Sequence, residues 1–136
     1  MTPAKDLLVA ASLERRTGPW TSSLREAVAA RPSDPVSAVF DRLAEWCSEP
    51  GFRGCGFLNA WGELGSGHGA VPEVVHRHRA ELRSVLAEAA DPDRRSPGLT
   101  EQLLILFEGA TAVAALSPGP EPAHRAREMA ELLYER

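Results

Sequence analysis

The sequence predicts an all-α fold of about six helices, and three observations carry that expectation. No alternating run of Val, Ile, Thr and Tyr and no Asn-Gly hairpin is present, so strand signals are weak. Apolar residues instead recur at intervals of three and four over several long stretches. Breaks rich in Pro, Gly and Asp separate those stretches. The chain has 136 residues, 43% hydrophobic and 25% charged, which suits one domain over residues 1–136 with a real core.

Residues 4–16 carry Leu7, Leu8 and Ala11 at helical spacing. Gly18-Pro19 interrupts, and Trp20, Leu24, Ala27 and Val28 resume the pattern, as one bent helix or two joined at Gly18. Arg31-Pro32 ends it. Ser33 or Asp34 caps the next helix, with Pro35 at its first position. Its stripe is Val36, Val39, Phe40, Leu43, Trp46 and Cys47. Glu49-Pro50-Gly51 closes it.

The stretch Gly51–Glu63 is the organising centre. Gly51, Gly54 and Gly56 permit turns and close backbone approach, and Phe57, Leu58 and Trp61 are expected to drive inward along a short helix over 57–63. A flexible connection over 65–69 leads to a long helix that starts near Pro72. Its one face carries Val71, Val74, Val75, His78, Leu82, Val85, Leu86 and Ala89. Asp91 to Gly98 is a loop. The helix over 99–116 is apolar around most of its circumference and so needs cover on two sides, the second from another subunit. A last helix over 122–134 puts Ala123, Ala126, Ala130 and Leu133 on one face.

Composition excludes several function classes. A net charge of −4 argues against direct contact with a phosphate backbone. No apolar run approaches a membrane span, and no secretory signal is visible. Cys47 and Cys55 are expected as free thiols, and the cytosol (a cytoplasmic location) as the compartment. No nucleophile elbow, phosphate loop, dinucleotide fingerprint or zinc-protease motif occurs. No catalytic residue, metal ligand or cofactor is assigned, and an enzyme is not expected. His76 and His78 point to different helix faces, which disfavours a shared zinc. Cys47 lies on an apolar stripe as a small hydrophobe.

Two readings stay open for the aromatic residues and the inward histidine. Phe40, Trp46, Phe52, Phe57, Trp61 and Phe107 either fill a core or wall an apolar pocket. His78 is either a core histidine bonded to a backbone carbonyl or the polar anchor of that pocket. Asn59 caps or bonds backbone, or donates to a ligand.

The run Phe52-Arg53-Gly54-Cys55-Gly56-Phe57-Leu58-Asn59-Ala60, with Glu63 and His68 beyond it, is similar to the middle of the C-terminal domain of TetR-family transcriptional regulators. Gly69 stands where that family usually has Pro. Leu103 to Ala110 looks like the eighth helix of those proteins, and the Ala-rich last helix like their ninth. Pro3 to Leu8 resembles the segment just after their recognition helix, so the sequence starts where a DNA-binding head would have ended.

The resemblance implies an effector-binding and dimerisation domain of a repressor lacking its helix-turn-helix. The alternative is a stand-alone small-molecule-binding protein, or a dominant-negative dimerisation partner. It implies a homodimer and a small apolar or aromatic effector. The pocket would be lined by Phe40, Trp46, Phe52, Phe57, Trp61, His78 and Phe107. The interface would use Gly109, Ala112, Val113, Leu116, Ala123, Ala126, Ala130 and Leu133. Ala112→Glu and Ala126→Glu are both expected to break such a dimer.

Overall fold

In a computed structural model, residues 3–64, 69–93 and 95–134 are described. They form six helices, with no strand among the described residues: α1 (Pro3–Ala30), α2 (Pro35–Cys47), α3 (Gly56–Leu64), α4 (Ala70–Ala90), α5 (Pro97–Leu116) and α6 (Glu121–Tyr134). The connection expected over 65–68, including His68, lies outside the described residues, as do the side chains of Leu58 and Glu63.

The choice at Gly18-Pro19 resolves to one continuous helix of 28 residues. Proline removes a helical donor there. The threonines on either side bond back to the helix: Thr17 Oγ1 donates to Leu13 O (3.2 Å), and Thr21 Oγ1 to Thr17 O (2.9 Å). The buried stripe of α1 is Ala10, Leu13, Thr21 and Leu24, whereas Leu7, Leu8 and Ala11 face solvent. That rotation corrects the stripe expected for the first half of α1. Asp6 reaches across to the start of α4 and accepts from Ala70 N (2.9 Å) and Val71 N (3.4 Å). Its carboxylate stands 3.1 Å from where a Cβ on Gly69 would lie, and Gly69 has φ +145°. Asp6 thus takes the place of an N-cap side chain from another helix.

In α2 and α4 the expected stripes are the buried ones, except that Trp46 is only half-buried. α5 begins two residues before the expected Leu99, at Pro97. Asp91 organises that start by accepting from Arg95 N (2.8 Å) and Ser96 N (2.7 Å). The inward face of α5 is Thr100, Leu103, Leu104, Phe107, Ala110, Thr111 and Ala114. By length and composition α5 is apolar enough to cross a membrane, which corrects the expectation that no run approaches a span. Its inward face is nevertheless built into the bundle.

Two cores result. The larger joins α2, α4, α5, α6 and the second half of α1, around Phe40, Leu43, Leu82, Leu86 and Leu103. The smaller joins the first half of α1 with α3 and the start of α4, around Leu13, Phe57, Val71 and Val74. α4 runs through both. Asp41 ties three helices together, accepting from Arg31 at the end of α1 and from Arg127 of α6 (2.6 Å). Desolvation pushes that carboxyl up, but the two guanidinium groups outweigh it and hold its pKa below the ordinary 3.8.

The capping role of Asp6 is testable. Asp6→Ala should cost about 1 kcal/mol in urea unfolding, and Asp6→Asn clearly less, because the amide oxygen still accepts. Equal losses from both variants would show that the bond to α4 contributes nothing.

Candidate functional site

A cavity of about 510 Å³ opens between α1, α3, α4 and α5, beside the end of α2. Arg16 and Trp20 come from α1, Trp46 from α2, His78 and Leu82 from α4, and Phe107, Glu108 and Thr111 from α5. The connection between α2 and α3 supplies Gly51, Phe52, Arg53, Gly54 and Cys55, and α3 supplies Gly56 and Phe57. A volume of that order accommodates a small organic molecule.

The connection is held in place from several sides. Phe52 N donates to Glu49 O (3.2 Å), and Asn59 Nδ2 donates back to Arg53 O (3.2 Å). Asn59 is therefore a backbone-bonding residue. A Cβ on Gly54, whose φ is +87°, would come within 2.8 Å of Ala115 Cβ on α5. Gly119 N donates to Cys47 O (3.2 Å), which joins the α5–α6 turn to the end of α2.

One wall of the cavity is an aromatic chain. Trp20 and Trp46 have ring centroids 4.8 Å apart, and Phe52 meets Trp46 edge-on at 4.9 Å. Arg42 lies over Trp20, 5.2 Å from the ring centroid, and its Nε donates to Ser23 Oγ (2.6 Å). A second pair lines the same cavity: Phe57 stacks on His78 at 3.6 Å, with the planes 3° from parallel. His78 is only 5% exposed, and its Nδ1 is buried without a hydrogen-bond partner among the described residues. Burial lowers its pKa from the ordinary 6.5 to about 4, so the ring is neutral at pH 7. The core reading with a carbonyl partner does not hold for Nδ1, an orphan beside a cavity.

Of the residues expected to line a pocket, Trp46, Phe52, Phe57, His78 and Phe107 meet around this cavity. Phe40 does not. It is fully buried behind Phe107, ring centroids 6.1 Å apart, because it lies mid-stripe on α2. Trp61 does not either. It is 40% exposed and meets His76 of α4 edge-on at 5.2 Å, because Phe57 and Ala60 form the buried face of α3. The sequence reading missed Arg16, Trp20, Arg53, Glu108 and Thr111. Trp20 had a usable signal, as a large aromatic on the α1 stripe. The charged residues had none.

The expected interface also divides. Gly109, Ala112, Val113 and Leu116 lie on the exposed side of α5, with Leu116 91% exposed. Ala123, Ala126 and Ala130 are instead buried inside the protomer, and Leu133 is half-buried against its core. Their small size lets α6 approach α2 and α5 closely, so they serve the bundle itself. The outward apolar residues of α6 are Met129 and Leu132.

Cys47 is a buried free thiol. Burial pushes the Cys47 thiol up to about 11, which suits a packing group and not a nucleophile. Desolvation also pushes the Glu108 carboxyl up, against the pull of Arg79. No cluster of three or more metal-ligating side chains occurs among the described residues. In comparisons with known proteins, the chain matches no family model, no curated protein and no solved structure.

The neutral, buried His78 has a pH consequence. Its folded pKa lies below its unfolded value, so the unfolded chain binds the extra proton first. Stability present above pH 6.5 should therefore fall as pH drops towards about 4, with a slope of about 1.4 kcal/mol per pH unit from this ring. His78→Phe should flatten that interval in urea titrations, while the Asp41 contribution is lost only at lower pH, below its ordinary 3.8. An unchanged slope in the variant would mean that His78 titrates normally.

Proposed function

We propose that these residues form the effector-binding and dimerisation domain of a TetR-like transcriptional repressor, a cytoplasmic homodimer whose cavity takes a small apolar or aromatic effector. The net charge of −4 fits a domain that does not touch DNA directly. The observation that carries the proposal is the two-sided use of α5. Phe107, Glu108 and Thr111 face the cavity, while Gly109, Ala112, Val113 and Leu116 face outward on the same helix.

An exposed apolar stripe of this kind has a hydrophobic reason to be covered. Ile105, Val113 and Leu116 of α5, with Met129 and Leu132 of α6, offer a face on which a second copy would complete a four-helix interface. Small side chains at Gly109 and Ala112 would let the two α5 helices come close. An effector bound behind α5 would then bias the position of the helix that faces the partner. In a complete repressor that is a population shift between two spacings of the DNA-reading heads.

Sedimentation equilibrium tests this. The wild-type chain should be a dimer. Ala112→Glu should give a folded monomer, because the charge stands at the partner's surface. Ala126→Glu should instead unfold the protomer, because Ala126 is buried within it and an unpaired buried charge costs several kcal/mol. A dimer that survives Ala112→Glu would remove the interface from the proposal.

A further inference from the structure

The cavity is aromatic on one wall but cationic at its rim. Arg16 and Arg53 both line it and both are exposed. Most arginines that the structure describes carry a carboxylate partner, including Arg25, Arg31, Arg77, Arg83 and Arg127. Among the described residues Arg16 has no ion pair, and Arg53 has only a long 3.4 Å bond to the carbonyl of Phe52. In a chain with net charge −4, two unpaired guanidinium groups at one opening stand against the overall sign.

Three further features meet them there. The Arg16 guanidinium lies over the first residue of α3, its Nη1 3.2 Å from where a Cβ on Gly56 would be. α3 spans nine residues, and its first helical bond runs from Asn59 N to Cys55 O (3.0 Å). The N–H groups of Gly56, Phe57 and Leu58 therefore lie outside the helical ladder, at the positive end of the helix. His78, 5% exposed and with its Nδ1 unpartnered, lines the same cavity beside Phe57. Glu108 is the acid in the lining, and it is half-buried with Arg79 near enough to act on it.

We infer that the effector is an organic anion, with an aromatic body between the Trp20–Trp46–Phe52 wall and Phe107, and a carboxylate or sulfonate held by Arg16, Arg53 and the first amides of α3. The inference rests on the cavity being the effector site. It narrows the ligand class from any apolar molecule to a flat monoanion. Guanidinium groups that lack a protein carboxylate are free to make the paired, charge-assisted bonds that such a head group offers. The apolar body supplies most of the buried area, and the charge fixes its orientation.

Two dyes that share an anilinonaphthalene body separate the possibilities. 8-Anilinonaphthalene-1-sulfonate carries the anion, and N-phenyl-1-naphthylamine does not. Fluorescence titration of the full chain should show the sulfonate binding at least ~10-fold tighter than the neutral dye. Arg16→Gln and Arg53→Gln should each weaken the sulfonate about ten-fold and leave the neutral dye within about two-fold. Unchanged binding of the neutral dye also shows that the variants are folded. If the neutral dye binds as tightly as the sulfonate, or if both variants leave the sulfonate unchanged, the anion assignment is overturned while the cavity still binds. If neither dye binds the wild-type chain, the effector site itself is overturned, and the inference with it.

Discussion

Gly54 lies so close to α5 that no side chain can stand there without a shift, and the wall of the cavity is built beside that contact. A Cβ at this position would meet Ala115 Cβ at 2.8 Å, and the backbone φ of +87° is one that other residues adopt only with strain. Because the connection between α2 and α3 is pressed onto α5 here, Phe52 turns inward to meet Trp46. Trp46 in turn meets Trp20 on α1. One backbone contact thus sets an aromatic wall across three elements. The bond from Asn59 to Arg53 O and that from Gly119 N to Cys47 O brace the same region from α3 and from the α5–α6 turn.

α5 is the element on which these forces converge. Its inward face serves the core and the cavity, and its outward face leaves Ile105, Val113 and Leu116 in water. Covering apolar area is worth about 25 cal/mol per Å², so such a stripe favours association. The loop seated on Ala115 and the stripe of Gly109, Ala112, Val113 and Leu116 occupy the same C-terminal half of the helix. Any molecule that reshapes the loop therefore acts on the part of α5 that carries the outward stripe. This short mechanical path is the physical content of the proposed regulation.

How much of this was legible in the sequence follows from which force decides each residue. The stripes of α2 and α4 were legible because burial alone fixes their rotation, and apolar spacing records burial. The rotation of the first half of α1 was not, because there Asp6 turns to the start of α4 and makes polar bonds that apolar spacing does not record, while Leu7 and Leu8 stand outward. Ala123, Ala126 and Ala130 were legible as one face but assigned to a dimer interface, whereas they are buried within the protomer, since an apolar face does not say which neighbour covers it. The glycine-rich centre was legible as a cavity wall, and Phe52 and Phe57 point where expected. Trp61 lies one residue beyond Ala60, and in so short a helix that step carries it to the outer face. Arg16 and Arg53 could not be found in advance, because rim cations follow no period and gain meaning only from the partners they lack.

The most direct measurement of the central claim is hydrogen–deuterium exchange on the wild-type chain and on Gly54→Ala. The added methyl must push the connection away from Ala115. The amides of Phe52 and Asn59, both hydrogen-bonded in the structure, should exchange faster in the variant, and so should those of the C-terminal half of α5. α1 and α4 should be unchanged where they pack on each other. If Gly54→Ala leaves exchange at Phe52, Asn59 and α5 as it is in the wild type, the loop does not depend on its seat against α5. The account of cavity and coupling would then be contradicted.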